Sequence, residues 1–188
     1  NDLGAYVVGY DDSPGSWQWR VEKRSLDTGE IVWTQTNNPS VSRDAAYGVA
    51  VDGSGIYVVG YDESPGVGKG EWRVEKRSLD TGEIVWTQTN DPSAGDDAPF
   101  GVAVDGSGLY IVGFDSSPGD WQWRVEKRSL DTGEIVWTQI NNPSVSNDAA
   151  YGVAVDGSGL YIAGFDNSPV GGDHGSRNRE WRVEKRSL

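Results

Sequence analysis

The hydrophobic positions of this chain fall in short runs, each closed by a turn sequence. In residues 47–52, Tyr47, Val49 and Val51 alternate with Gly48 and Ala50, the period of two that marks a β-strand. One face of that strand is small. Residues 56–62 are apolar on both faces, with Ile56 and Val58 on one and Tyr57 and Val59 on the other, which predicts a strand covered on both sides. Residues 72–79 begin at Trp72 and carry charge on alternate positions, and residues 83–89 set Trp86 among β-branched neighbours. We name these strands A to D. Asp-Gly-Ser-Gly joins A to B and Asp-Thr-Gly joins C to D, and both offer glycine for the positive φ that tight hairpins use. Longer loops containing proline join B to C and D to A, where proline blocks strand continuation. A helical reading of Arg-Val-Glu-Lys-Arg-Ser-Leu fails on length, since the stretch is too short for a stable helix.

The same pattern returns along the chain. Trp-Arg-Val-Glu-Lys-Arg-Ser-Leu starts at Trp19, Trp72, Trp123 and Trp181, and Gly-Val-Ala-Val-Asp-Gly-Ser-Gly starts at Gly48, Gly101 and Gly152. Asp-Thr-Gly-Glu-Ile-Val-Trp-Thr-Gln starts at Asp27, Asp80 and Asp131. The period of 51–53 residues, with one longer step of 58 from Trp123 to Trp181, lies near the four-stranded units of about 40–50 residues found in propellers. The expected fold is therefore all-β: a β-propeller of four-stranded antiparallel blades, with about four repeats at 1–46, 47–99, 100–150 and 151–188 in a single body of residues 1–188.

Two stretches carry a family resemblance. Arg-Ser-Leu-Asp-Thr-Gly-Glu-Ile-Val-Trp resembles the strand C, turn, strand D tryptophan motif of quinoprotein-type (PQQ-like) propellers. Gly-Val-Ala-Val-Asp-Gly-Ser-Gly-Ile-Tyr-Val-Val-Gly resembles the A–B hairpin of NHL-type and SBBP-type propeller repeats. The first resemblance implies that Trp33, Trp86 and Trp137 dock between adjacent blades. It does not extend to the quinoprotein cofactor site, for which no adjacent cysteine pair and no matching calcium or catalytic residues occur. Such folds host many activities, so the resemblance speaks to architecture.

The copies alternate. The first and third share Trp-Gln-Trp-Arg, whereas the second and fourth share Glu-Trp-Arg, which points to duplication of a two-blade unit. The strands run from B of the first copy to C of the fourth, leaving one D–A pair short of a four-blade set. An open edge of this kind invites pairing. Three readings stand, in this order: a longer protein with more blades, copies associating edge to edge into a ring or filament, and a four-blade body with ragged ends. The start at Asn1 and the lack of methionine point to a mature or trimmed product.

Composition narrows the partners. With 29 acidic against 16 basic residues the formal net charge is −13, which repels a phosphate backbone and argues against nucleic acid. No run approaches the roughly 20 apolar residues that a spanning helix needs, so membrane insertion is not expected. Without cysteine there are no disulfides or thiolate metal sites.

Candidate chemistry is sparse. Asp11-Asp12, Asp62-Glu63, Asp115 and Asp166 open the B–C loops, and Asp44, Asp96-Asp97 and Asp148 lie in the D–A loops. In a propeller these loops share one acidic face, where Asp11, Asp12, Asp62, Asp115 and Asp166 could hold Ca²⁺; the plainer reading is that Asp before Ser-Pro starts a turn. Trp17 and Trp121 occur only in the odd copies, opposite Gly70 and Arg179, a variation that a core position would resist. They are expected to be partly exposed and able to stack on a sugar ring or seat a protein. His174, the one histidine, sits in the longest loop. The repeated Trp19, Trp72, Trp123 and Trp181 read as core. Arg20, Glu22 and Arg24 recur on one face of every strand C as an ion-pair ladder.

The expectation is a non-enzymatic binding or structural module, extracellular or on a cell surface, whose partner is a protein or glycan and whose surface includes Trp17, Trp121, Asp44, Asp96, Asp97, Asp148 and His174. Two alternatives stand beside it: a propeller enzyme, either a quinoprotein-like oxidoreductase or a glycan-active lyase, and a subunit of an extracellular polymer joined through open blade edges.

Overall fold

The computed structural model describes residues 4–13, 15–64, 69–117, 119–167 and 179–188. The described residues form fourteen antiparallel strands in four sheets. The first sheet holds β1 (Gly4–Asp11), β2 (Gln18–Ser25) and β3 (Ile31–Asn37). The second runs in chain order through β4 (Asp44–Asp52), β5 (Gly55–Asp62), β6 (Glu71–Arg77) and β7 (Ile84–Asn90). The third repeats it with β8 (Ala98–Asp105), β9 (Gly108–Asp115), β10 (Gln122–Arg128) and β11 (Ile135–Asn141). The fourth holds β12 (Ala149–Asp156), β13 (Gly159–Asp166) and β14 (Glu180–Arg186). The Val-Glu-Lys-Arg stretches are strands, as their alternation requires.

The two hairpin turns are built differently. In the C–D turn, Gly29, Gly82 and Gly133 adopt a φ of 72°, as expected. In the A–B turn, Gly53, Gly106 and Gly157 do not take positive φ, and only Gly159, which ends the fourth copy's turn, does, at 149°. There the aspartate side chain closes the turn: Asp52 Oδ1 accepts from the Ser54 and Gly55 amides at 2.7 and 3.1 Å, and Asp105 does the same for Ser107 and Gly108. A short carboxylate that caps its own turn removes the need for a left-handed residue.

The sheets stack face to face. We call the face that meets the next sheet trailing and the face that meets the previous one leading. Pairing of Tyr10 with Trp19, Val8 with Val21 and Tyr6 with Lys23 sets one face of the first sheet. That trailing face buries Trp19 and Val21 against Ala46, Ile56 and Val58 of the second sheet. Trp72 and Val74 meet Leu109 and Ile111 in the same way, and Trp123 and Val125 meet Ala150 and Ile162. Each indole N–H donates across the junction: Trp19 to the Tyr61 carbonyl at 3.0 Å, Trp72 to Phe114 at 3.1 Å and Trp123 to Phe165 at 2.9 Å. A fully buried indole keeps its donor satisfied this way.

The first strands of the sheets lie against one another, β4 on β8 and β8 on β12. This explains the small face of strand A. A β-carbon at Gly48 would lie 2.8 Å from the Phe100 carbonyl, and one at Gly101 would lie 2.6 Å from the Tyr151 carbonyl. Each of these strands carries a register shift that leaves one residue unpaired: Tyr47, Phe100 and Tyr151. Such bulges re-aim a side chain, and the three rings meet in a row, with centroids 5.5 and 4.7 Å apart.

The tryptophan of the last copy departs from expectation. Trp181 is 96% exposed, whereas Trp19, Trp72 and Trp123 are wholly buried. The strand is the same, but among the described residues no further sheet lies over it.

Candidate functional site

The B–C and D–A loops meet at one end of the sheets, and most of their aspartates hold that end together. Asp44 accepts from the Ser40 amide and hydroxyl at 2.9 and 2.8 Å and from the Glu63 amide of the neighbouring loop at 3.1 Å. Asp97 repeats this with Ser93 and Ser116, and Asp148 with Ser144 and Asn167. All three aspartates are buried. Burial pushes the carboxyls of Asp44 and Asp97 above their ordinary range, against the pull of these hydrogen bonds. The sequence carried a signal for this tie that motif reading passed over: Pro-Ser-x-x-x-Asp recurs at 39–44, 92–97 and 143–148.

The aspartates that open the B–C loops are engaged with their own loop and strand. Asp11, Asp62 and Asp115 each accept from the amide two residues on, at 2.9, 2.9 and 3.1 Å. Each also pairs with the strand C arginine: Arg20, Arg73 and Arg124, at 2.9, 3.2 and 3.1 Å, with Arg182 reaching Asp166 at 3.4 Å. Burial raises the Asp115 carboxyl, but the hydrogen bonds from Gln122, Ser117 and Arg124 outweigh it and hold the group below the usual range. Asp12 and Asp96 are exposed. Among the described residues no group of three or more carboxylate, histidine or cysteine side chains is placed to hold a metal. His174 lies outside the described residues.

The arginine ladder runs inward from these aspartates. Arg73 and Arg77 clasp Glu75 from both sides at 2.8 and 2.5 Å, and Arg124 and Arg128 clasp Glu126 at 2.7 and 2.6 Å, with both glutamates fully buried. The pairs lie along one strand, and the preceding sheet adds an asparagine: Asn37 to Glu75 at 3.2 Å and Asn141 to Glu184 at 2.9 Å. The guanidinium also rides over the tryptophan of the sheet before, Arg73 on Trp19 at 5.7 Å and Arg124 on Trp72 at 5.6 Å.

Trp17 and Trp121 lie half-buried beside the loops. Trp17 stacks on Tyr10 at 4.3 Å and takes the Arg43 guanidinium at 5.2 Å, and Trp121 stacks on Phe114 at 4.1 Å. The even copies fill the place differently. Arg179 lies 4.1 Å over Phe165, and at Gly70 a β-carbon would lie 2.7 Å from the Tyr61 ring. The four ends are thus built on one plan with four different surfaces.

One carboxyl pair was not foreseen. Glu71 is paired in register with Asp62. Burial, then the Asp62 charge, raises the Glu71 carboxyl to about 7. In the third sheet Gln122 takes this place and donates to Asp115 at 2.8 Å, so no second charge is present.

No protein-family model and no curated protein matches the chain. No helix of the described residues is long and apolar enough to cross a membrane.

Proposed function

We propose that the chain is a non-enzymatic binding and assembly module of the β-propeller type, with blades like those of the quinoprotein, NHL and SBBP repeats, working at a cell surface or outside the cell. The observation that carries the reading is the threefold recurrence of one junction, a strand C tryptophan donating to the next sheet's strand B carbonyl. Sheets joined face to face through their first strands suit a radial arrangement. The buried loop aspartates are committed to holding the scaffold, so the variable positions of the same end provide the contact surface: Trp17, Trp121 and Arg179, with Asp12 and Asp96 exposed in its loops. A half-exposed indole suits stacking on a sugar ring, whose hydroxyls polar groups of the loops can hydrogen-bond.

The test is a panel of immobilised glycans read with the wild-type chain and a Trp17→Ala, Trp121→Ala double variant. Retention that the double variant loses, with unchanged far-ultraviolet circular dichroism, supports the reading. Equal behaviour of the two proteins across the panel removes these residues from it.

A further inference from the structure

We infer that two copies of this chain join head to tail, the bare trailing face of the last sheet seating on the bare leading face of the first. The inference rests on the assembly reading above and names the partner of that surface: a second copy. On the trailing face, Trp181 is 96% and Val183 73% exposed, while their counterparts Trp123 and Val125 are wholly buried. A groove of about 330 Å³ lies beside them, lined by Tyr151, Gly152, Ala163, Phe165 and Trp181. On the leading face, Val7 is 47% exposed, and Ala5 is exposed too, while the same positions in the second sheet, Val58 and Ile56, are buried.

What covers such a face is shown three times within the molecule. At each internal junction the tryptophan meets apolar residues of the next sheet, a guanidinium and a strand B carbonyl; strand B supplies two of the apolar residues at the first two junctions, while the third has Ile162 of strand B with Ala150 of strand A. For Trp19 these are Ile56, Val58, Arg73 and Tyr61. The first sheet holds the same set at the same positions: Ala5 and Val7, Arg20, and Tyr10. Arg20 is 36% exposed, whereas Arg73 is 13% exposed beneath its neighbour's tryptophan. In the assembly the Trp181 indole N–H donates to the Tyr10 carbonyl of the second copy, Val183 packs on its Val7, and its Arg20 lies over the Trp181 ring. The two faces differ from one another, so the contact is heterologous and either closes a ring or propagates.

The experiment is sedimentation velocity over a concentration series, with Trp181→Glu and Val7→Glu as separate variants and as an equimolar mixture. Both positions are exposed in the single chain, so neither substitution threatens its fold. The wild type is expected to self-associate, and each variant alone to weaken this by roughly thirtyfold or more, the scale of a central aromatic anchor. The mixture is expected to form a one-to-one pair through its one intact junction. A wild type that stays monomeric throughout the series overturns the inference, whether its Trp181 emission is that of an exposed or a shielded indole; the shielded case means that the chain closes on its own faces. Association that both variants retain also overturns it. Circular dichroism of the same samples reports the sheets themselves, so loss of the scaffold is distinguished from loss of pairing.

Discussion

Residues 123–130 and 181–188 are the same octapeptide, and both stretches run as strand C beside a strand B of nearly the same sequence. In the third sheet the tryptophan is sealed, its N–H bonded to Phe165 and its ring beneath Arg182. In the fourth it stands in solvent. The strand is set by local pattern, while burial is set by whether another sheet follows. What the octapeptide contributes to stability is therefore a property of the junction and not of the segment.

The largest consequence separates the two tryptophans. Trp123→Ala empties a filled junction and is expected to cost about 3–5 kcal/mol, whereas Trp181→Ala in the dilute single chain is expected to fall within about 0.5 kcal/mol. Urea denaturation of both variants at low protein concentration measures the contrast, and equal losses would erase the distinction between sealed and bare faces.

A smaller contrast lies at the strand A glycines. A methyl group at Gly101 runs into the Tyr151 carbonyl and Val112, while at Gly152 it meets nothing within 4 Å. Gly101→Ala is expected to cost about 1–3 kcal/mol by overpacking, and Gly152→Ala to leave thermal stability within about 0.5 kcal/mol of the wild type. If Gly101→Ala melts with the wild type, the close approach of β8 to β12 is wrong.

The smallest effect compares the second and third sheets at Glu71 and Gln122. The Glu71 carboxyl is raised to about 7 in the fold, so between its unfolded value and 7 the native chain binds more protons than the unfolded one. Stability from this group is then full at low pH and declines as pH rises from about 4.5 through 7. Glu71→Gln removes that decline. Because the group is only part-buried and screened by solvent, its melting temperature is expected to exceed that of the wild type by about 2–4 °C at pH 8 and to match it at pH 4. A gap that widens towards acid would reverse the assignment.

The strands were legible in the sequence because alternation and turn chemistry are local. The A–B turn was legible as a turn but not in its mechanism: the aspartate side chain closes it, and of its glycines only Gly159 takes a positive φ. The buried Pro-Ser-x-x-x-Asp ties were also legible, as a spacing that recurs three times. The exposure of Trp181 was not legible, because identical octapeptides carry no record of which one is covered. Nor was the Glu71–Asp62 pair, which exists only through the register of β5 on β6. Trp17 and Trp121 stood out because they vary where the rest repeats, and they lie at the loop end on aromatic partners.

The central claim is that three tryptophans are locked across sheet junctions and the fourth copy's is not. Hydrogen exchange of the nine indole N–H groups, followed by NMR with single Trp→Phe variants for assignment, tests it most directly. The account predicts that Trp19, Trp72 and Trp123 exchange slowest, at rates tied to global unfolding, and that Trp181 exchanges at once in dilute solution. Rapid exchange of Trp19, Trp72 and Trp123, on the timescale of Trp181, would contradict it.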